Sequence, residues 1–316
     1  MVITAALPSP DDGDHGQSAT QPGDIPGRGW IDVFRRVRHA LARDHIWVAA
    51  AALAFCTLFA AIPGIVVVIA CFGSLADPAA IRRYLDMIDG LLPAAATGFL
   101  ADQVQATATL SGLHLAAAVF IALWSARIGA STFISVFNLA YRERETRSFL
   151  RYQVVVSAVT IGLCLFGLMA FALIAVVPVA LRSQGLETAA DLARWPALAM
   201  LTAVALAATY RFAPSRRMAK WRWVAPGAIA ATLLWLAGSA LFSRYVAQFA
   251  STEDTFGTLG IMLLMLSWFY LAAFAILLGA ELNAELERQT ACDTTEGPER
   301  LAGQRGARVA DSRRGG

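Results

Sequence analysis

One arginine set inside a long apolar run has the most chemistry to offer in this chain. Arg127 stands in LWSARIGASTFISVFN, about fourteen residues from either end of its apolar stretch. At about 1.5 Å of rise per residue that is near the middle of a bilayer. A guanidinium left there costs roughly 2.5–3.5 kcal/mol on insertion scales unless a cavity, water or partner receives it. Ser131, Ser135 and Asn138 continue from Arg127 along one helical stripe, so the four make a candidate substrate-binding face lining a polar cavity. No other apolar stretch offers a carboxylate at that depth. The planar donor fork can therefore take a phosphate or carboxylate from outside. The alternative is that Arg127 binds helix-end carbonyls and hydroxyls of its neighbours and holds a bundle together.

Two carboxylates one helical turn apart, Glu281 and Glu285, close the last apolar stretch. They are candidates for coupling transport to protons or for a cytoplasmic gate; the competing role is an anchor paired with the basic loops. Pro63-Gly64 removes a backbone donor within the first stretch, which makes either a hinge or a kink that suits packing. Arg244, near the outer end of its stretch, can reach water or the acids Glu253 and Asp254. No GxxxxGK[ST] loop is present, so ATP is not used by that route. The histidines His15, His39, His45 and His114 form no HExxH pair, and Ser125 lacks the glycine-flanked elbow of a hydrolase nucleophile. Cys56, Cys71, Cys164 and Cys292 are too widely spaced for a zinc site or a disulfide framework. The reading is not an enzyme, with no cofactor and no metal.

These residues need elements that live in lipid. Hydrophobic residues are 57% of the chain and charged ones 16%, against a globular norm of about 45–50% and about 25%. Six apolar stretches, at 46–72, 113–140, 152–181, 195–213, 224–249 and 256–284, each reach the roughly seventeen to twenty residues that cross a hydrocarbon core. Ahead of them, GWIDVFRRVRHALARDH repeats Trp30, Val33, Phe34, Val37 and Leu41 at helical spacing, with Arg35, Arg36, Arg38 and Arg43 largely on other faces. It reads as an amphipathic helix on an anionic membrane surface, or one docked on protein. Between 73 and 112, Asp77-Pro78 and the apolar spacing from Ile81 to Leu92 predict short amphipathic helices. Of the 26 arginines and lysines, twenty fall on the side of the termini and only four on the other. That places both termini in the cytoplasm.

Four ordered motifs resemble the YihY/BrkB family of bacterial inner-membrane proteins over about residues 30–286. They are AAALAFCTLFAAIPG, LWSARIGASTFISVFNLAYRERETRSFLR, YRFAPSRRMAKWRWVAPGAIAATLLWL and DTFGTLGIMLLMLSWFYLAAFAILLGAELNAEL. Cys56 stands where the family usually has tyrosine, and Phe256 where a tyrosine precedes Gly257-Thr258-Leu259-Gly260. The resemblance implies a multi-helix bundle in the cytoplasmic membrane. Members have carried the label ribonuclease BN, which the missing metal constellation disfavours here. Others are linked to serum resistance and to tolerance of altered lipid A precursors, which implies lipid export.

The expected protein is thus an all-α integral membrane protein of the bacterial inner membrane. It has a bundle of six transmembrane helices (29–286), an N-terminal cytoplasmic amphipathic helix and short periplasmic amphipathic helices, between disordered tails at 1–28 and 287–316. The expected function is that of a transporter or flippase-like protein for an anionic lipid or small anion; the rival is a membrane scaffold for envelope machinery. Expected partners are the bilayer, anionic lipids at the cytoplasmic face and an anionic substrate, with no nucleic acid.

Overall fold

The computed structural model describes residues 15–75, 112–176, 187–249 and 253–312. The amphipathic helices expected between 77 and 111 lie outside these residues, as do the chain ends at 1–14 and 313–316. A 3-10 turn, Pro22–Asp24, leads into α1 (Gly27–Arg43) and α2 (Ile46–Leu75). Then come α3 (Gly112–Ala140), α4 (Phe149–Phe171), α5 (Glu187–Phe212), α6 (Trp221–Phe249), α7 (Glu253–Glu287) and the short α8 (Arg308–Asp311). Helix α4 runs on as a π-helical turn over Ala172–Val176. Among the described residues no strand occurs beyond a single bridge between Ala219 and Thr295.

Long, nearly uncharged runs become helices because lipid offers no partner for backbone N–H and C=O, and a helix satisfies them all internally. Among the described residues five helices are long and apolar enough to cross a bilayer. A sixth crossing is counted when Gly27–Arg43 and Ile46–Ala61, bent by 64° at their junction, are taken as one span. The bend falls at Asp44-His45, where His45 takes φ +48 and so cannot continue a right-handed helix. Helical backbone persists through Pro63 and Gly64, the expected hinge or kink.

Helix α7 is the hub, packed against α1, α2, α3 and α6. Its closest approach is to α6, where Gly227 and Gly279 meet backbone to backbone. A Cβ on Gly227 would lie 2.1 Å from the Gly279 carbonyl oxygen, and one on Gly279 would lie 2.4 Å from the Gly227 oxygen. Small residues are what let two membrane helices approach this far. The main core gathers Ile46, Leu53, Phe137, Tyr141, Tyr210, Val224 and Leu277 at the end of the bundle that carries the basic loops. Helix α4 stands at the edge: it meets α3 through Ala130, Ile134 and Val156 and leaves most of its length exposed.

Two expectations change. The stripe of α1 read as membrane-binding is docked in part on protein, with Val33 and Val37 buried against Trp223, Leu282 and Leu286. Ile31 and Phe34 remain exposed at 60% and 58%. Residues 15–28 and 287–312, expected as disordered, are folded over the same basic end. Arg305 is 3% exposed and donates to the carbonyls of Cys292 and Ala310. Composition marks such a tail as polar; it does not reveal that the polar groups find one another.

Candidate functional site

The chemistry collects in two places, the basic end of α7 and the flank of α3. At the basic end, Glu285 is 1% exposed. It accepts from Arg36 Nε at 2.7 Å, Arg288 Nη1 at 3.0 Å and Arg142 Nη2 at 3.2 Å. Arg36 also donates to Gln289 Oε1 at 2.6 Å, and Arg142 to Asp44 at 3.3 Å. One carboxylate therefore ties α1, the α3–α4 loop and the α1–α2 bend to α7. Two residues on, Glu287 and Arg216 form a two-pronged pair, 2.9 Å at each prong, with both side chains at 0% exposure. Thr294 adds a hydroxyl donor to Glu287 at 3.0 Å. The Arg216 guanidinium lies 4.0 Å over the Tyr141 ring. Burial works against its charge, but the Glu287 carboxylate outweighs this and holds Arg216 above its ordinary range. Burial likewise pushes the Tyr141 hydroxyl up.

Asn283 sits one turn before Glu287 and braces α6 on either side of Pro226. Its Oδ1 accepts from Gly227 N at 2.7 Å and its Nδ2 donates to the Val224 carbonyl at 3.0 Å. A side chain thus supplies hydrogen bonds at the point where proline has no donor to give. Glu281, by contrast, is fully buried, and neither carboxyl oxygen has a hydrogen-bond partner among the described residues. The two carboxylates expected to act together are therefore unlike: Glu285 is an anchor, and Glu281 is unsatisfied.

On the α3 flank, Arg127 is half-buried and Nη2 donates to Gln153 Oε1 of α4 at 2.6 Å. A neutral amide cannot cancel its charge, and no carboxylate pairs with it among the described residues. Arg127 lies thirteen residues before the end of α3 at Ala140, about 20 Å along the axis. Ser131 and Ser135 follow on the same flank, half-buried and exposed. Their hydroxyls donate to the Ile128 and Ser131 carbonyls of their own helix at 2.8 and 2.9 Å. Asn138 is not on a cavity with them. It is buried and ties two loops, accepting from Ser215 N at 2.7 Å and donating to Glu145 at 3.0 Å.

Sequence reasoning missed Gln153, Asn283 and the Arg216–Glu287 pair. Only Asn283 had a signal, as an amide in an apolar run one turn from a glutamate. The pairing of Arg216 with Glu287 spans 71 residues and leaves no local pattern. The folded tail is part of this end as well: Lys220 N donates to Thr294 O and Arg217 N to Gly306 O, each at 2.9 Å. Arg308 N donates to Glu143 at 2.6 Å. Among the described residues, no group of three His, Cys, Asp or Glu side chains is placed to hold a metal ion.

Residues 37–303 match the family described as Virulence factor BrkB. The chain is 32% identical to "Putative ribonuclease-like protein YfkH" of Bacillus subtilis (strain 168), over 65% of this chain and 78% of that one. It is 31% identical to a UPF0761 membrane protein of Stenotrophomonas maltophilia (strain R551-3), over 81% of this chain and 61% of the relative. A UPF0761 membrane protein of Delftia acidovorans is 27% identical over 88% of this chain and 66% of its own length. The chain thus spans about three fifths of the length of the Stenotrophomonas relative. No solved structure matches it. A match over most of the chain, joined to an all-helical bundle of membrane-crossing length, makes this a multi-pass membrane protein of the virulence factor BrkB (YihY/UPF0761) family.

Proposed function

We propose that the protein moves an anionic lipid or a small anion across the bacterial inner membrane, with both termini in the cytoplasm. The observation that carries this is Arg127: a cation deep in a span, held by a neutral amide and not by a carboxylate. The arginines that join helices at the basic end are matched by acids, as Arg216 is by Glu287 and Arg36 by Glu285. A cation on the α3 flank, followed by the hydroxyls of Ser131 and Ser135, offers a charged headgroup a polar track while its acyl tails stay in lipid. Asn138 drops out of that track. Glu281, buried without a hydrogen-bond partner, is the carboxyl group we assign to proton exchange; Glu285 is the anchor beside it.

Part of the basic surface on which the scaffold reading relied is spent internally: Arg36, Arg142, Arg216 and Arg288 pair with the chain's own carboxylates, while Arg151 and Arg222 stay exposed. The ribonuclease-like name belongs to the Bacillus relative, and our reading for this chain is not enzymatic. The test is transbilayer movement in reconstituted vesicles, scored by bleaching a fluorescent anionic phospholipid from outside and by uptake of a small anion. The expected result is movement by the wild-type chain and its loss in Arg127→Gln. Vesicles with folded protein that move neither probe would overturn the proposal, as would an Arg127→Gln variant that moves them at the wild-type rate.

A further inference from the structure

A groove of about 520 Å³ lies away from both sites, where the N-terminal segment crosses the start of α6. It is lined by Gln21, Pro22 and Gly23 of the N-terminal segment, by Trp30 of α1, and by Arg222, Ala225, Pro226 and Ile229 of α6. We infer that this groove binds an anionic phospholipid of the adjacent leaflet, its phosphate on Arg222 and its acyl chain along Ile229 and Leu233. This does not rest on the transport reading, because a resident lipid is bound whether or not anything crosses at Arg127.

Three observations converge. First, Arg222 is exposed and has no partner among the described residues. Two arginines nearby in the sequence are taken: Arg216, in the α5–α6 loop, by Glu287, and Arg211, at the end of α5, by Glu296 and the Ala219 carbonyl. No acid lines the groove, and Asp24, next in sequence to its Gln21–Gly23 wall, is occupied by the backbone and side chains of Thr20 and Gln21. An unmatched donor fork over an apolar floor is complementary to a phosphate that carries hydrocarbon. Second, the depth is right. The candidate span of α6 begins at Trp221, which puts Arg222 on its first turn, and Trp30 lines the groove as an interfacial aromatic does. Third, the floor continues into lipid. Ile229 and Leu233 are 55% and 61% exposed and follow Arg222 at seven and eleven residues on one face of α6. They begin about 10 Å below it at 1.5 Å per residue, roughly the drop from a headgroup phosphate to its chain.

The experiment uses the full chain in nanodiscs of phosphatidylcholine doped with a photo-crosslinking phosphatidylglycerol or a photo-crosslinking phosphatidylcholine, with crosslinked peptides mapped by mass spectrometry. The expected result is phosphatidylglycerol attached within 21–30 and 225–233, and a loss of at least about fivefold in Arg222→Gln, the factor that one cation near an anionic headgroup supplies. Arg151→Gln, at another exposed basic position, leaves the yield unchanged. Equal yields from the two probes would overturn the inference. So would equal losses in the two variants, which would mean diffuse attraction. Abolition of crosslinking by millimolar inorganic phosphate would do the same, since it would mean a free-anion site.

Discussion

The two ends of the charge distribution obey opposite rules. At the basic end of α7, charges are buried and matched: Glu285 accepts from three arginines, and Glu287 and Arg216 face each other with no exposure on either side. On the α3 flank, Arg127 is also withdrawn from water, yet it meets only an amide. Matched burial holds helices in place at little net gain, because desolvation consumes most of the Coulomb energy. Unmatched burial costs stability outright, and a chain keeps such a group when it has something else to meet.

The contrast can be tested by removing charges from each side. The largest effect belongs to Arg216→Ala, which strands Glu287 in the interior. Thermal unfolding in detergent is expected to show a loss of about 3–5 kcal/mol, and most of it returns when Glu287→Leu is added to Arg216→Met. Next comes Arg127→Leu, with the opposite sign. Removing an intramembrane cation worth roughly 2.5–3.5 kcal/mol of insertion cost leaves the melting temperature unchanged or raised while transbilayer movement is lost. A clear fall in melting temperature would reassign Arg127 to bundle-holding. Third, Gly227→Ala sets a methyl 2.1 Å from the Gly279 carbonyl and 2.5 Å from the Asn283 amide. The helices must part, at about 1–3 kcal/mol, and the same change at the exposed Gly162 does nothing comparable.

The smallest effect is pH dependence at Glu143, in the α3–α4 loop. Burial raises its carboxyl above the ordinary value, against the Arg308 backbone donor and the Arg216 charge. The folded form therefore holds the proton more tightly than the unfolded chain does. Its contribution is complete below the ordinary carboxylate value and is lost as pH rises through the raised one. Glu143→Gln is expected to flatten that part of a stability profile, measured as melting temperature against pH.

The spans were legible because an apolar run of sufficient length has one physical solution in lipid. Helices α3 and α6 end at Ala140 and Phe249, the limits expected for their spans, whereas α5 begins at Glu187, ahead of the expected 195. Arg127 was legible for the same reason, as a charge that breaks such a run. The site around Glu285 was legible only as an anchor of some kind. Its partners Arg36, Arg142 and Arg288 had been counted as a side preference and not as ligands. Side preference is a sum over loops, whereas pairing depends on which loops the fold brings together. The amphipathic pattern of α1 was read correctly as a pattern, but a stripe of Val33 and Val37 cannot say whether protein or lipid will cover it.

The fold of residues 287–312 bears on how the molecule is made. Ala291 N donates to the Gln17 carbonyl and Thr290 to that of Ala19, so the first described segment is fastened by one that the ribosome supplies only after α7. Until that late strap emerges, the nascent N-terminal segment waits without its clasp. Insertion of the spans and completion of the basic end are thus separate events in time, and a stop codon just after Glu287 would yield a chain that inserts but never locks.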